Sequence, residues 1–120
     1  MISDEITAMK SGKELNIKVA EIVMQCRFLK DEIFGDMEIY PNSVYGPLQP
    51  YSEDISAAWQ VMKKLQGYNP RIEFNIYSRK WEAAFSNKAA NFSFPLASAD
   101  TAPEAICKAA ILAVLEAKCD

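Results

Sequence analysis

The stretch Tyr51-Ser52-Glu53-Asp54-Ile55-Ser56-Ala57-Ala58-Trp59-Gln60-Val61-Met62-Lys63-Lys64-Leu65 brings a helix start, an apolar face and a helix stop into one register. Ser52 has the side chain of an N-cap, because its hydroxyl can accept from a free first-turn amide, and Glu53 and Asp54 stand where the positive end of a helix favours anions. Ile55, Ala58, Trp59, Met62 and Leu65 recur at helical spacing, and Gly67 supplies the stop. The spacing predicts a helix over residues 51 to 65.

Toward the N-terminus, Ser11 followed by Glu14 reads as a capping box. The helix it opens places Leu15, Val19, Ile22, Val23 and Cys26 inward and Lys18 and Glu21 in water. Residues 1 to 10 read as a polar end, a short turn capped by Ser3 or a frayed segment. Between Arg27 and Pro50, Gly35, Pro41, Gly46, Pro47 and Pro50 punctuate short apolar pieces such as Met37-Glu38-Ile39-Tyr40, so two short strands or one long loop both fit. With Phe34, Tyr40 and Tyr45 on it, this insertion is a candidate ligand cover. The competing reading packs those aromatics on the sheet edge.

Toward the C-terminus, Tyr68-Asn69-Pro70 is a turn and residues 71 to 78 alternate strictly. Ile72, Phe74 and Ile76 are expected to face the core, with Arg71, Glu73, Asn75 and Tyr77 facing the other way. Trp81 to Phe85 repeats the alternation after a tight Ser78-Arg79-Lys80 link, and Asn91 to Leu96 adds a third strand, whose Pro95 places it at an edge. Such short links dictate an antiparallel meander. Thr101 and Glu104 form a second capping box with Pro103 in the first turn, and the helix that follows, from Ala105 to Leu115, is apolar on more than one stripe. It is either thoroughly buried or the contact of a homodimer. The expected fold is therefore α+β, one domain over residues 1–120, with an antiparallel meander of three to five strands packed with three helices.

With 120 residues, half of them hydrophobic, the chain can bury a core without staples. A net charge of −3 and a pI near 5.0 argue against a nucleic-acid backbone binder, which needs a basic stripe. Cys26, Cys107 and Cys119 form no C-x-x-C pair and fit reduced thiols in a cytosol. Neither a signal peptide nor a membrane span is legible, so a bacterial cytoplasmic protein is expected.

Tyr51-Ser52-x-Asp54-Ile55-x-Ala57-Ala58-Trp59 resembles the signature of the phage ABA (α-β-α) sandwich domain family, small proteins of bacteriophages and prophages. The resemblance extends to Val19-Ala20-Glu21-x-Val23-Met24 and to residues 99–110, Ala-Asp-Thr-Ala-Pro-Glu-Ala-Ile-Cys-Lys-Ala-Ala. The three blocks cover roughly a third of the chain in the family's order. Family members often carry arginine where this chain has Lys108, which exchanges a bidentate fork for a point charge. The resemblance implies an α-β-α sandwich and a phage-encoded protein in the cytoplasm of the infected host.

The chain contains no histidine, so it has no imidazole base, no Ser-His or Cys-His pair and no histidine metal site. Its four isolated glycines form no phosphate-cradling loop. Helix starts after Ser52 and Thr101 already carry acids, which disfavours an anion there. What remains is a binding constellation: Arg79, Lys80 and Trp81 at one hairpin, Arg71 and Tyr77 on the neighbouring outward face, Asn91 across the meander, and Lys108 and Tyr45 as further candidates. Cations beside aromatic rings suit a small nucleotide, with no cofactor and no metal required. Against this stands the reading in which Trp81 is core, Arg79 and Lys80 are solvated turn charges, and Lys108 pairs with Glu104 at i,i+4.

Small phage proteins of similar size and build include anti-defence sponges, which bind cyclic nucleotide immune signals without cleaving them, an analogy of context and not of motif. The first expectation is a non-enzymatic homo-oligomer that sequesters a host cyclic nucleotide or cyclic ADP-ribose-type signal. A phage accessory protein acting by protein–protein contact is the second, and a metal- and carboxylate-dependent phosphodiesterase the third.

Overall fold

The computed structural model describes residues 2–87, 92–93 and 96–118. Helix α1 (Ile2–Ala8) leads into α2 (Lys13–Lys18), which continues as a π-helical turn over Val19–Val23. Three short strands follow, β1 (Arg27–Asp31), β2 (Gly35–Ile39) and β3 (Tyr45–Pro47), then α3 (Ile55–Lys64), β4 (Tyr68–Asn75), β5 (Lys80–Asn87), β6 (Phe92–Ser93), β7 (Ala97–Ala99) and α4 (Ala102–Lys118).

The α+β class and the antiparallel pairing stand, but the strands divide into two sheets. The first has the order β1-β2-β3, with Leu29 opposite Met37 and Met37 opposite Pro47. In the second, the long β4–β5 hairpin pairs Phe74 with Trp81, and β5 also pairs with β6 and β7, Trp81 opposite Ala99. Strand β7 is unexpected from sequence because Ala-Ser-Ala has little strand propensity; its two alanines are buried where larger side chains would push α4 off the sheet. Asn91 and Pro95, expected in the third strand, lie outside the described residues.

Helix α4 lies at the centre. Ala105 through Ala113 are all buried, against β5, β7, α3, α1 and the π-turn. Alanines at 105, 109, 110 and 113 permit this close approach on several sides. The apolar surface that suggested contact with another copy is thus spent inside the chain. Thr101 Oγ1 accepts from the Glu104 amide at 3.4 Å, one half of the expected capping box. The other half is absent, because the Glu104 carboxylate accepts the Ser11 amide at 2.9 Å and the Lys108 ammonium at 3.1 Å.

That contact also removes the Ser11–Glu14 capping box. Gly12, at φ 139, holds the N-cap position of α2 with no side-chain cap, a conformation that side chains rarely adopt. Leu15, Val19, Val23 and Cys26 are buried as expected, and Ala20 with them. The N-terminal end is no loose tail, since α1 buries Ile6 fully against the core.

Helix α3 differs from expectation in start and rotation. It begins at Ile55, capped by Asp54, whose Oδ1 accepts the Ser56 amide at 3.2 Å. Ser52 is instead fully buried, donating its hydroxyl to Asn16 Oδ1 at 2.6 Å and accepting the Gly12 amide at 3.0 Å. Ala57, Ala58, Val61 and Leu65 face the core, whereas Ile55 is 41% and Trp59 48% exposed. The small face packs on α4 because two helices approach most closely over alanines; the large side chains are left at the rim.

Candidate functional site

Trp59 and Trp81 define a groove where α3, α4 and the second sheet meet, with a volume of about 410 Å³. Ile55 and Trp59 form its α3 wall, Ile72 and Trp81 its sheet wall, and Ala102, Pro103 and Ile106 its α4 wall. The first two residues of α4 are small, which leaves the mouth open. Trp81 lies on the inner face of β5 and meets the ring of Phe74 edge-to-face, centroids 5.4 Å apart and planes at 62°. Among the described residues, none that lines the groove carries a charge.

Of the described residues expected to bind a ligand, only Trp81 lines this groove. Arg71 and Lys80 lie on the outer face of the sheet, as alternation from Trp81 requires, and both are paired: Arg71 Nε with Glu73 at 2.9 Å and Lys80 with Asp100. The Lys80 ammonium holds the Asp100 carboxyl below its usual range, and Glu73 raises the Arg71 guanidinium. Arg79 sits in the hairpin turn at φ 58, exposed and without an ion pair among the described residues. Tyr77, in the same turn, is 93% exposed. Phe74 and Ile76, expected in the core, are 46% and 70% exposed because the hairpin runs past the end of the body. Lys108 is buried, donating to Glu104 and to the Thr7 carbonyl at 3.2 Å. Asn91 lies outside the described residues. The expected cluster is therefore spread over separate surfaces.

Tyr45 belongs to a second concavity, about 310 Å³, on the first sheet. Its lining is Leu29, Asp31, Phe34, Met37, Ile39 and Tyr45. The candidate cover over residues 27–50 is thus a sheet of its own. Phe34 and Tyr45 are 72% and 68% exposed, while Tyr40 packs against the core.

Behind that sheet, Glu38 is buried to 1% exposure. It accepts the Tyr51 hydroxyl at 2.7 and 3.0 Å and the Gln49 amide at 3.0 Å. Burial first, and the neighbouring Glu38 carboxylate next, push the Cys26 thiol up to about 11 and Tyr40 up to about 12; Tyr51 is raised by the same causes. Sequence reasoning missed Glu38, Trp59, Ile55, Leu29 and Met37. For Glu38 a signal was available: an acid flanked by Met37 and Ile39 shows which face of that strand is polar, though not which face points inward.

Two antiparallel sheets, a buried central helix and two grooves, one of them lined in part by Asp31, make up a small α+β scaffold. The chain belongs to the phage ABA sandwich domain family, whose sequence model matches residues 17–111. It is similar to a phage protein from Bacillus cereus ATCC 14579 whose crystal structure is known, at 26% identity and a TM-score of 0.69, over 88% of this chain and 92% of that one. No curated protein matches the chain significantly. Tyr51 and Ser52, in the block that carries the family resemblance, clamp α3 to the first sheet and to α2; Trp59 of the same block lines the groove. Among the described residues no helix is long and apolar enough to cross a membrane.

Proposed function

We propose that this phage-family protein is an accessory factor of the infected cell's cytoplasm that works by binding a protein partner, without turning over a substrate. The observation that carries this reading is the Trp59–Trp81 groove, whose walls, among the described residues, are uncharged. A groove of that volume accepts an inserted apolar side chain, and half-exposed tryptophans are common anchors of protein contacts. Among the described residues no three His, Cys, Asp or Glu side chains gather in a metal-holding group, and the buried Glu38 is occupied by Tyr51 and Gln49. Both facts weigh on the side of binding.

Sequestration of a cyclic nucleotide or cyclic ADP-ribose-type signal is the second reading. Two indole faces for a base and the unpaired Arg79 on the adjoining hairpin favour it. The engagement of Arg71, Lys80 and Lys108 with their own carboxylates places it behind the protein partner.

The two readings separate in one set of measurements. A photo-crosslinking residue at position 59 should trap one discrete protein in infected cells, and Ile55→Asp should abolish the adduct. Titration with cyclic nucleotides and cyclic ADP-ribose isomers should leave tryptophan fluorescence unchanged. Quenching, with the ligand returned intact on heating, would instead establish the sponge, and consumption of the ligand would overturn both readings.

A further inference from the structure

The first sheet is inside out. Residues alternate across a strand, so β1 presents Arg27, Leu29 and Asp31 on the face that carries Met37 and Ile39 of β2 and Tyr45 of β3. That face is apolar at its centre, yet it is the outward one. Among the described residues its concavity is lined by those of the sheet and its first turn, and Met37, though 8% exposed, lies outside the main core cluster. The inward face carries Asp36 and Glu38 of β2 opposite Lys30 and the half-buried Phe28 of β1, with Glu38 held by Tyr51 and Asp36 by Lys13 at 3.1 Å. An antiparallel sheet with one wet face normally turns its polar side to water. Here Leu29 is 47%, Phe34 72% and Tyr45 68% exposed together.

We propose that this outward face is the interface with a second copy of the same chain, two first sheets stacking face to face about a two-fold axis. Charge complementarity identifies the occupant. Arg27 and Asp31 sit at opposite ends of β1 on this face, separated by four residues or roughly 13 Å at ~3.3 Å per residue. A two-fold axis lying in the contact plane at right angles to the strands sets Arg27 of each copy against Asp31 of the other, with Leu29 near the axis. Both groups are available. Arg27 is exposed and has no partner among the described residues, and Asp31 uses Oδ2 for the Ile33 and Phe34 amides, leaving Oδ1. Tyr45, level with Arg27, and Phe34, beside Asp31, bring an aromatic ring to each end.

The area is sufficient. These side chains, with the exposed Arg27 and Ile33, offer on the order of 600 Å² per copy, at the lower edge of the ~1,200–2,000 Å² total of a specific interface. The stacking leaves the Trp59–Trp81 groove open and does not depend on the function proposed for it.

Sedimentation of the full chain tests the proposal. Dimers are expected at micromolar concentration, and Leu29→Asp should yield monomers with an unchanged circular dichroism spectrum. Arg27→Asp alone sets like charges together at both ends and should raise the dimer Kd on the order of tenfold or more. Asp31→Arg alone should do the same. Mixed in equal amounts, the two single variants should form a heterodimer in which both pairs are opposite in sign again, a recovery that a merely structural role for either residue does not produce. A wild-type monomer at all concentrations overturns the proposal. So does a dimer indifferent to Leu29→Asp, or a mixture of folded variants that does not associate.

Discussion

The Tyr51 hydroxyl donates to the buried Glu38 carboxylate at 2.7 Å, across 13 positions of chain, and fastens the first sheet to the segment that enters α3. A buried carboxylate is costly unless its oxygens are hydrogen-bonded. Glu38 meets that condition through Tyr51 and the Gln49 amide.

Tyr51→Phe is therefore expected to cost about 2–3 kcal/mol, as for a hydrogen bond to a charged buried group. Glu38→Gln, which keeps an acceptor for Tyr51, should cost less. Urea unfolding of the two variants gives the comparison.

The alkaline limb of stability should be steep. The Cys26 thiol lies near 11 in the folded chain against 9.0 unfolded, and Tyr40 near 12 against 10.0. The folded state thus retains protons that the unfolded chain releases, so their stabilisation is complete below pH 9 and is lost as pH rises toward 11 and 12. The midpoint of unfolding should fall through that window, and Cys26→Ala should shallow the fall between pH 9 and 11. In the native state at pH 8, Cys26 and Cys107, both buried, should react with a thiol reagent on the order of tenfold or more slowly than a free thiol.

Lys108 and Glu104 are 5% and 10% exposed at their side chains and 3.1 Å apart. Lys108→Met strands a buried carboxylate and should destabilise by about 3–5 kcal/mol, whereas Lys108→Met with Glu104→Gln should recover part of that loss. A double-mutant cycle by chemical denaturation measures the coupling.

Along the β4–β5 hairpin, burial and backbone conformation should set the cost of substitution. Phe85 is 2% exposed, and Phe85→Ala should cost about 3–5 kcal/mol. Tyr77→Ala, at a site 93% exposed, should lie within about 0.5 kcal/mol of wild type. Arg79→Gly should be neutral or stabilising by up to about 1 kcal/mol, because φ 58 strains any residue with a Cβ. Thermal unfolding of the three variants checks the order.

Local chemistry was legible in the sequence: the helices near residues 13, 55 and 102, the alternation of β4 and β5, the antiparallel links, and the family block around Tyr51. Each of these depends on neighbours within about four positions, through caps, turns and side-chain period. What only the tertiary structure decided was which partner each polar or apolar group found. Ser52 left the cap of α3 for Asn16, 36 positions away, and Glu104 turned from its own helix start to Ser11, 93 positions away. Helix α3 buried Ala57 and Ala58 in place of Trp59, since the shape of α4 and not the count of apolar residues set the rotation. The first sheet turned Glu38 inward and Leu29 outward because a period of two specifies that the faces differ, while the body that one of them meets, here Tyr51, lies elsewhere in the chain.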